Sequence, residues 1–226
     1  IEGSIIHEDE DIMVLDKPAG LAVHGGSGLR FGLIEALKEM RPGSPEISLV
    51  HRLDRFTSGC LLVAKNRALL PALQDQFRTG RVEKQYLTLV RGRWQGGART
   101  VDLSLHKGRL QSGKRMVHVD EEEGKDAESR FIPVDVFAEA SLMQVVLKTG
   151  RMHQIRVHAT GVGHPVAGDD KYGDPEFNRR MREHGLKRLF LHAQSLSFYH
   201  PRTGRLMSLS TPLPETLSQV LDHLPR

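Results

Sequence analysis

Apolar residues along this chain fall into short runs and helical stripes, separated by glycine, proline and charged residues. Ile12, Met13, Val14 and Leu15 form a run stopped by Lys17-Pro18-Ala19-Gly20, which predicts a strand entering a turn. Leu33, Ile34, Leu37 and Met40 recur at helical spacing, and Pro42-Gly43 closes that helix. Residues 60–64 read as a buried strand. Asn66 can cap the next helix, whose Leu69, Leu73 and Phe77 line one stripe before Gly80 ends it. Residues 84–90 then alternate as a half-buried strand.

Between Trp94 and Glu128 the chain turns polar, with Gly96-Gly97, Gly108, Gly113 and the acidic run Glu121-Glu122-Glu123. This predicts exposed hairpins and loops, with the acids in a solvated turn rather than at a metal. Residues 128–137 and 141–148 predict paired strands. A helix is expected from near Arg151, because Ile155, Ala159 and Val162 share a face. Pro175 suits the first turn of another helix, which carries Arg179, Arg180 and Arg182. Leu217, Val220, Leu221 and Leu224 predict a terminal amphipathic helix. There is no internal repeat and no long linker. The expectation is one continuous fold of mixed α/β or α+β type rather than a doubly wound parallel sheet.

Composition narrows the class only slightly. With 38% hydrophobic and 27% charged residues, the 226-residue chain has enough apolar content for a core. Lys and Arg outnumber Asp and Glu by 32 to 28, a mild pointer to a polyanionic partner. The one cysteine, Cys60, excludes a disulfide framework, sits in an apolar run and fits a reducing, cytoplasmic setting. No stretch approaches the roughly 18 consecutive apolar residues of a membrane span. The first residue is Ile1 rather than Met, so a further segment is expected upstream.

Two polar clusters can carry chemistry. The first is His51-Arg52-Leu53-Asp54-Arg55-Phe56-Thr57-Ser58-Gly59, wedged between apolar runs. A loop between two buried strands is a rigid mount for a reactive group. It is equally the place for a plain turn in which Asp54 pairs with Arg52 or Arg55. The second is Lys148-Thr149-Gly150-Arg151-Met152-His153-Gln154-Ile155-Arg156-Val157-His158. There Gln154 and His158 align on one helical face, while Met152, Ile155 and Ala159 can point inward. His153 and His158 are five apart with no Glu between them, unlike a zinc-protease helix. The zinc-deaminase signature, the serine-hydrolase elbow and the phosphate-binding glycine loop are all missing. Gly25-Gly26-Ser27-Gly28 reads as a flexible loop, and Asp169-Asp170 as an ordinary polar turn in preference to a cation site.

Read in order, these segments resemble the RluA-type pseudouridine synthases. The resemblance rests on Leu15-Asp16-Lys17-Pro18-Ala19-Gly20, residues 51–59, Lys84-Gln85-Tyr86, residues 149–158, His164-Pro165-Val166-Ala167-Gly168-Asp169, and Leu191-His192-Ala193. Residues 23–29, the helix end at 35–42 and Arg188-Leu189-Phe190-Leu191-His192 are most similar to members acting on large-subunit (23S) ribosomal RNA. The same catalytic motifs serve tRNA-directed members, and a noncatalytic RNA-binding domain would share the basic residues. One departure is Met152, where the family commonly has Thr.

The resemblance implies an α+β fold: a central, mostly antiparallel mixed sheet in two halves with a catalytic cleft, flanked by helices and loops. Residues 1–226 would form the catalytic domain of a cytoplasmic monomer, with a small RNA-binding domain ahead of it. No metal and no cofactor is implied. Asp54 would be the catalytic carboxylate, Arg151 its basic partner and Tyr86 the aromatic group over the base. Arg52 would fill the space left by a flipped uridine, with Lys84 and Arg156 as further RNA contacts. Asp54 could attack a sugar or base carbon, remove a sugar proton or stabilise an oxocarbenium-like state.

Overall fold

The computed structural model describes residues 1–25, 31–43, 46–109 and 115–226. The glycine-rich segment from Gly26 to Leu29, and Gly113, lie outside the described residues. In chain order the strands are β1 (Ile5–Glu8), β2 (Ile12–Lys17), β3 (Ser48–Leu49), β4 (Ser58–Ala64), β5 (Glu83–Arg91), β6 (Arg99–Asp102), β7 (Leu105–Arg109), β8 (Arg115–Val119), β9 (Glu128–Val136), β10 (Ala140–Leu147), β11 (Leu191–Tyr199) and β12 (Leu206–Ser210). The helices are α1 (Leu33–Met40), α2 (Leu70–Arg78), α3 (Gln154–Gly161), α4 (Pro175–Glu183) and α5 (Glu215–Asp222). The chain divides into two units, Ile1–Lys84 with His192–Pro212, and Gln85–Leu191 with Leu213–Arg226.

In the first unit β4 is the organising strand. All seven of its residues are buried, because it is covered on both faces, and this is why it reads as an unbroken apolar run. It pairs antiparallel with β2, from Ile12 opposite Ala64 to Lys17 opposite Gly59, and with β3. It pairs in parallel with β11 through His192 opposite Ser58 and Ala193 opposite Gly59, and β12 returns antiparallel on β11. Gly59 sits at φ +110°, and a Cβ there would lie 2.1 Å from the Ala193 carbonyl oxygen. Only glycine permits both that backbone and that approach. The core joins Ile12, Val14, Cys60, Leu62, Leu196 and Phe198 to Leu73 of α2.

The helix expectations need small corrections here. Asn66 caps a separate 3-10 turn, accepting the Ala68 N–H at 3.0 Å, and Leu69 belongs to that turn. The stripe of α2 is therefore Leu70, Leu73 and Phe77. In α1, Leu33, Ile34 and Leu37 are buried, whereas Met40, in its last turn, is 48% exposed.

In the second unit β10 pairs antiparallel with β5 and β9, and β6 pairs with β9. β7 and β8 form their own hairpin. β5 is not half-buried as its alternation predicts, since Tyr86, Leu87, Thr88, Leu89 and Val90 are all inside. Thr88 survives there because its hydroxyl donates to the Phe190 carbonyl at 2.8 Å. Leu89 packs with Phe177 and Met181 of α4 and Leu217 and Val220 of α5. Burying each such side chain stabilises the unit by about 1.5–3 kcal/mol. A second cluster ties the hairpin to α3 through Leu105, Val117 and Val157, with Met152 and Tyr172 packed against it. Met152 thus contributes packing where a threonine would place a hydroxyl. The architecture is α+β, with mostly antiparallel strands and one parallel pairing in the first unit.

Candidate active site

The Asp54 loop belongs to the first unit and is anchored from below. Leu53, Thr57 and Ser58 are buried, Asp54 is half-buried, and Arg52, Arg55 and Phe56 are exposed. The Thr57 N–H donates to the Asp54 carbonyl at 3.1 Å and closes a tight turn. Lys17 is 0% exposed, and its ammonium donates to the carbonyls of Pro18 at 2.8 Å, Leu21 at 2.9 Å and Arg55 at 3.1 Å. The Arg55 Nε donates to the Gly20 carbonyl at 2.9 Å, and the Gly20 N–H returns to the Arg55 carbonyl at 2.8 Å. A buried charge persists only when it is hydrogen-bonded, so Lys17 locks the turn after β2 onto the loop carrying Asp54. The sequence signal for this was a lysine that ends a largely apolar strand just before Pro18. Under the loop, the Ser58 hydroxyl donates to His192 Nδ1 at 2.9 Å, and His192 Nε2 faces the Thr211 carbonyl at 3.3 Å.

His51 is structural. Its Nε2 accepts the Leu62 N–H at 3.0 Å, and its ring stacks on Phe77 with centroids 4.5 Å apart. Burial, aided by the nearby Lys84 charge, pushes its pKa down to about 3, so the imidazole is neutral. Lys84 itself is buried rather than rim-exposed, and burial lowers its pKa to about 8. The Cys60 thiol is pushed up to about 12 by burial and by Asp16, and is inert.

Tyr86, Arg151 and Arg156 lie in the second unit. Tyr86 is buried on β5 opposite Val145. Arg151 is exposed, with its Nε donating to the Asp126 carbonyl at 3.0 Å. Its backbone N–H donates to Gln154 Oε1 at 2.9 Å, and the Thr149 hydroxyl donates to the same oxygen at 2.8 Å. The Gln154 amide donates to the Glu128 carbonyl and to Ser129 Oγ, each at 2.9 Å. Ser129 Oγ in turn meets His158 Nδ1 at 2.9 Å, and His158 Nε2 meets the Leu103 carbonyl at 2.9 Å. Both ring nitrogens of His158 are therefore occupied, and burial lowers its pKa despite the Leu103 carbonyl. The shared face of Gln154 and His158 is an inward polar face, which the inward positions assigned from apolarity alone did not include.

Arg156 is drawn into the interior instead of standing at the surface. Its Nε and Nη2 donate to the two oxygens of Asp169 at 2.7 and 2.8 Å. Burial raises the Asp169 pKa, but the Arg156 contacts and the N–H groups of Lys171 and Tyr172 outweigh it and hold the carboxyl below its usual range. That pairing replaces the cation considered for Asp169. Arg179 and Arg180 likewise meet carboxylates, Glu183 for the first and Glu139 and Glu176 for the second.

Among the described residues, two groups place possible metal ligands within 4.8 Å of one another, namely Asp9, Asp11 and His200, and His106, Asp120 and Glu123. In the first, Arg202 pairs with Asp11, and His200 Nδ1 accepts from the N–H groups of Arg202 and Thr203. The His200 proton then sits on Nε2, pointing at Asp9 at 3.2 Å, where a metal would need a lone pair. In the second, Asp120 accepts the Glu122 and Glu123 N–H groups and caps an acidic turn.

The fold and these loops define a class. The RNA pseudouridylate synthase family matches residues 11–160, and the chain belongs to that family. It is similar to the ribosomal large subunit pseudouridine synthase C of Pasteurella multocida (strain Pm70), 50% identical over 99% of this chain and 68% of the relative. The protein of the same description from Escherichia coli (strain K12) is 51% identical over 97% of this chain and 69% of the relative. A solved structure, human RNA pseudouridylate synthase domain containing 4, superposes with a TM-score of 0.79 at 25% identity, covering 100% of this chain and 95% of that one. The chain is an RNA pseudouridine synthase, an isomerase of uridine. Among the described residues no helix is long and apolar enough to cross a membrane.

Proposed function

We propose that this enzyme isomerises uridines of large-subunit ribosomal RNA in the cytoplasm, acting as a monomer, with Asp54 as the catalytic carboxylate. The observation that carries the substrate reading is the half-identity, along nearly the whole chain, to relatives described as large-subunit synthases. The clamped loop carries the assignment of Asp54, since Lys17 and Gly20 hold its backbone while its side chain stays half-buried. Isomerisation breaks the N1 glycosidic bond, rejoins the base to the sugar through C5, loses the C5 proton and gains a proton at N1, so atoms balance without a co-substrate. An aspartate carboxylate offers a nucleophile or base to an electron-poor sugar carbon, to the base or to a sugar proton.

In this reading Arg151 stabilises the carboxylate, Tyr86 stacks on the extruded base and Arg52 fills the vacated helix position. Extruding a base costs a few kcal/mol, and stacking on an aromatic ring recovers about 1–3 kcal/mol. Lys84, being buried, would act through its charge near the base rather than as a phosphate grip. Arg156, held by Asp169, would shape the site instead of contacting RNA. The test is pseudouridine mapping of large-subunit RNA and of tRNA transcripts after incubation with wild type and Asp54→Asn. The reading requires product in the ribosomal transcript, none with Asp54→Asn, and RNA affinity within about tenfold of wild type. Modification confined to tRNA would overturn the substrate, and turnover by Asp54→Asn would overturn the assignment of the carboxylate.

A further inference from the structure

We infer that Phe56, with the Arg55 guanidinium set on its ring, is a platform for an unpaired RNA base next to the uridine that reacts. This rests on the reading of Asp54 as the catalytic carboxylate. Phe56 is the third residue of the tight turn closed by the Thr57 N–H on the Asp54 carbonyl. Its Cα is therefore within about 7.6 Å of that of Asp54, two trans peptides away. Turn positions of this kind favour glycine, asparagine or aspartate, which hydrogen-bond locally or tolerate the backbone. Phenylalanine offers neither advantage, and here it is 51% exposed to water.

A single exposed apolar side chain is ordinary on any surface. Three features set this one apart. The Arg55 guanidinium carbon lies 5.3 Å from the Phe56 ring centroid, so a cation covers part of the ring. That guanidinium is not free to swing, because its Nε is held by the Gly20 carbonyl at 2.9 Å. The backbone beneath is fixed by the Lys17 ammonium on the Arg55 carbonyl. An aromatic ring beside a planar cation that is held before binding offers a base a π surface and its phosphate a counter-charge at reduced ordering cost. Aromatic and arginine side chains also mark protein interfaces, but beside a carboxylate that acts on uridine the occupant this pairing fits is single-stranded RNA.

The experiment uses the RNA on which wild-type protein forms pseudouridine, whichever RNA that proves to be. 2-Aminopurine is placed in turn at each position within three nucleotides of the modified uridine. Phe56→Ala, Phe56→Leu and Phe56→Tyr are compared with wild type and Asp54→Asn. Because Phe56 is exposed, all three should melt within a degree or two of wild type. The inference predicts that Ala and Leu raise KM about tenfold, with kcat within about twofold, and that Tyr restores KM. One labelled neighbour should be quenched by wild type, Tyr and Asp54→Asn, but not by Leu. Wild-type KM and quenching in the Leu and Ala variants would overturn the platform. Turnover by Asp54→Asn would instead overturn the catalytic reading, and the quenching would still judge Phe56 separately.

Discussion

Gln154 accepts the backbone N–H of Arg151 on its Oε1 at 2.9 Å, and this contact fixes where the exposed guanidinium starts. The same side chain is 2% exposed and makes three further hydrogen bonds, to Thr149, Glu128 and Ser129. Gln154→Met fills the same space but removes all four of these hydrogen bonds, while Ser129 keeps His158 and the Glu128 carbonyl keeps the Lys148 N–H. With each net hydrogen bond worth about 0.5–1.5 kcal/mol, a loss of about 2–4 kcal/mol is expected in urea unfolding. Single-turnover rates at a temperature where the variant is fully folded should still fall, because the Arg151 loop is released. A folded variant with wild-type turnover would remove Gln154 from the positioning of that loop.

Arg156 and Asp169 form the most buried ion pair near that helix, with side chains 12% and 0% exposed. Removing one partner of such a pair leaves a buried charge, and Arg156→Ala should cost about 3–5 kcal/mol. Arg156→Lys should recover only part, since an ammonium cannot donate in parallel to both oxygens. The Asp169 carboxyl titrates below its unfolded value of about 3.9, so its stabilisation is complete above that pH and is lost as pH falls through the folded value. Asp169→Asn should therefore flatten the acid side of the stability curve below about pH 4 relative to wild type.

His51 predicts a pH dependence in a milder range. Its folded pKa of about 3 lies below the unfolded value of about 6.5. Between those values the unfolded chain binds the extra proton, so stability falls as pH drops from about 6.5 towards 3. The slope from this group is at most about 1.4 kcal/mol per pH unit. His51→Gln should lose stability at neutral pH with the Phe77 stack, yet show a shallower decline between pH 6 and pH 4. An equal decline in both proteins would place the proton uptake elsewhere.

The elements most legible in the sequence were those whose burial is uniform along one face or both. β4 read as a buried strand because all seven residues are inside, and α5 as a helix because Leu217 and Val220 repeat at its period. β5 misled, because its polar residues Lys84 and Thr88 are buried and satisfied rather than turned outward. Asp54 could be singled out as a candidate because it stands in a dense polar motif between apolar runs. The Lys17 contact to the Arg55 carbonyl, and in the second unit the contacts of Gln154 and His158 to Ser129, were not legible, because contacts made across long sequence separations leave no local pattern. The polar turn at Asp169 was legible, since its carboxylate accepts the Lys171 and Tyr172 N–H groups, but its pairing with Arg156, thirteen residues away, left no local signal.

Gly59 gives the most direct check on how the Asp54 loop is seated. It follows Ser58 at the start of β4, at φ +110°, with the Ala193 carbonyl oxygen only 2.1 Å from where a Cβ would stand. Gly59→Ala brings two penalties. The backbone angle costs about 1–3 kcal/mol for a residue with a side chain. The overlap with backbone atoms of β11 cannot be relieved by a rotamer change, so the strands must part where His192 opposes Ser58 and Ala193 opposes Gly59. That movement would break the Ser58 hydroxyl contact to His192 Nδ1 and loosen the turn that presents Asp54. We expect a loss of more than about 3 kcal/mol in denaturant unfolding, together with faster amide exchange at Thr57 and Leu61. Gly20→Ala, also at positive φ but with nothing within 4 Å of a Cβ, should incur only the backbone penalty of about 1–2 kcal/mol. If the two alanine variants prove equally stable, close strand approach at Gly59 does not hold the loop.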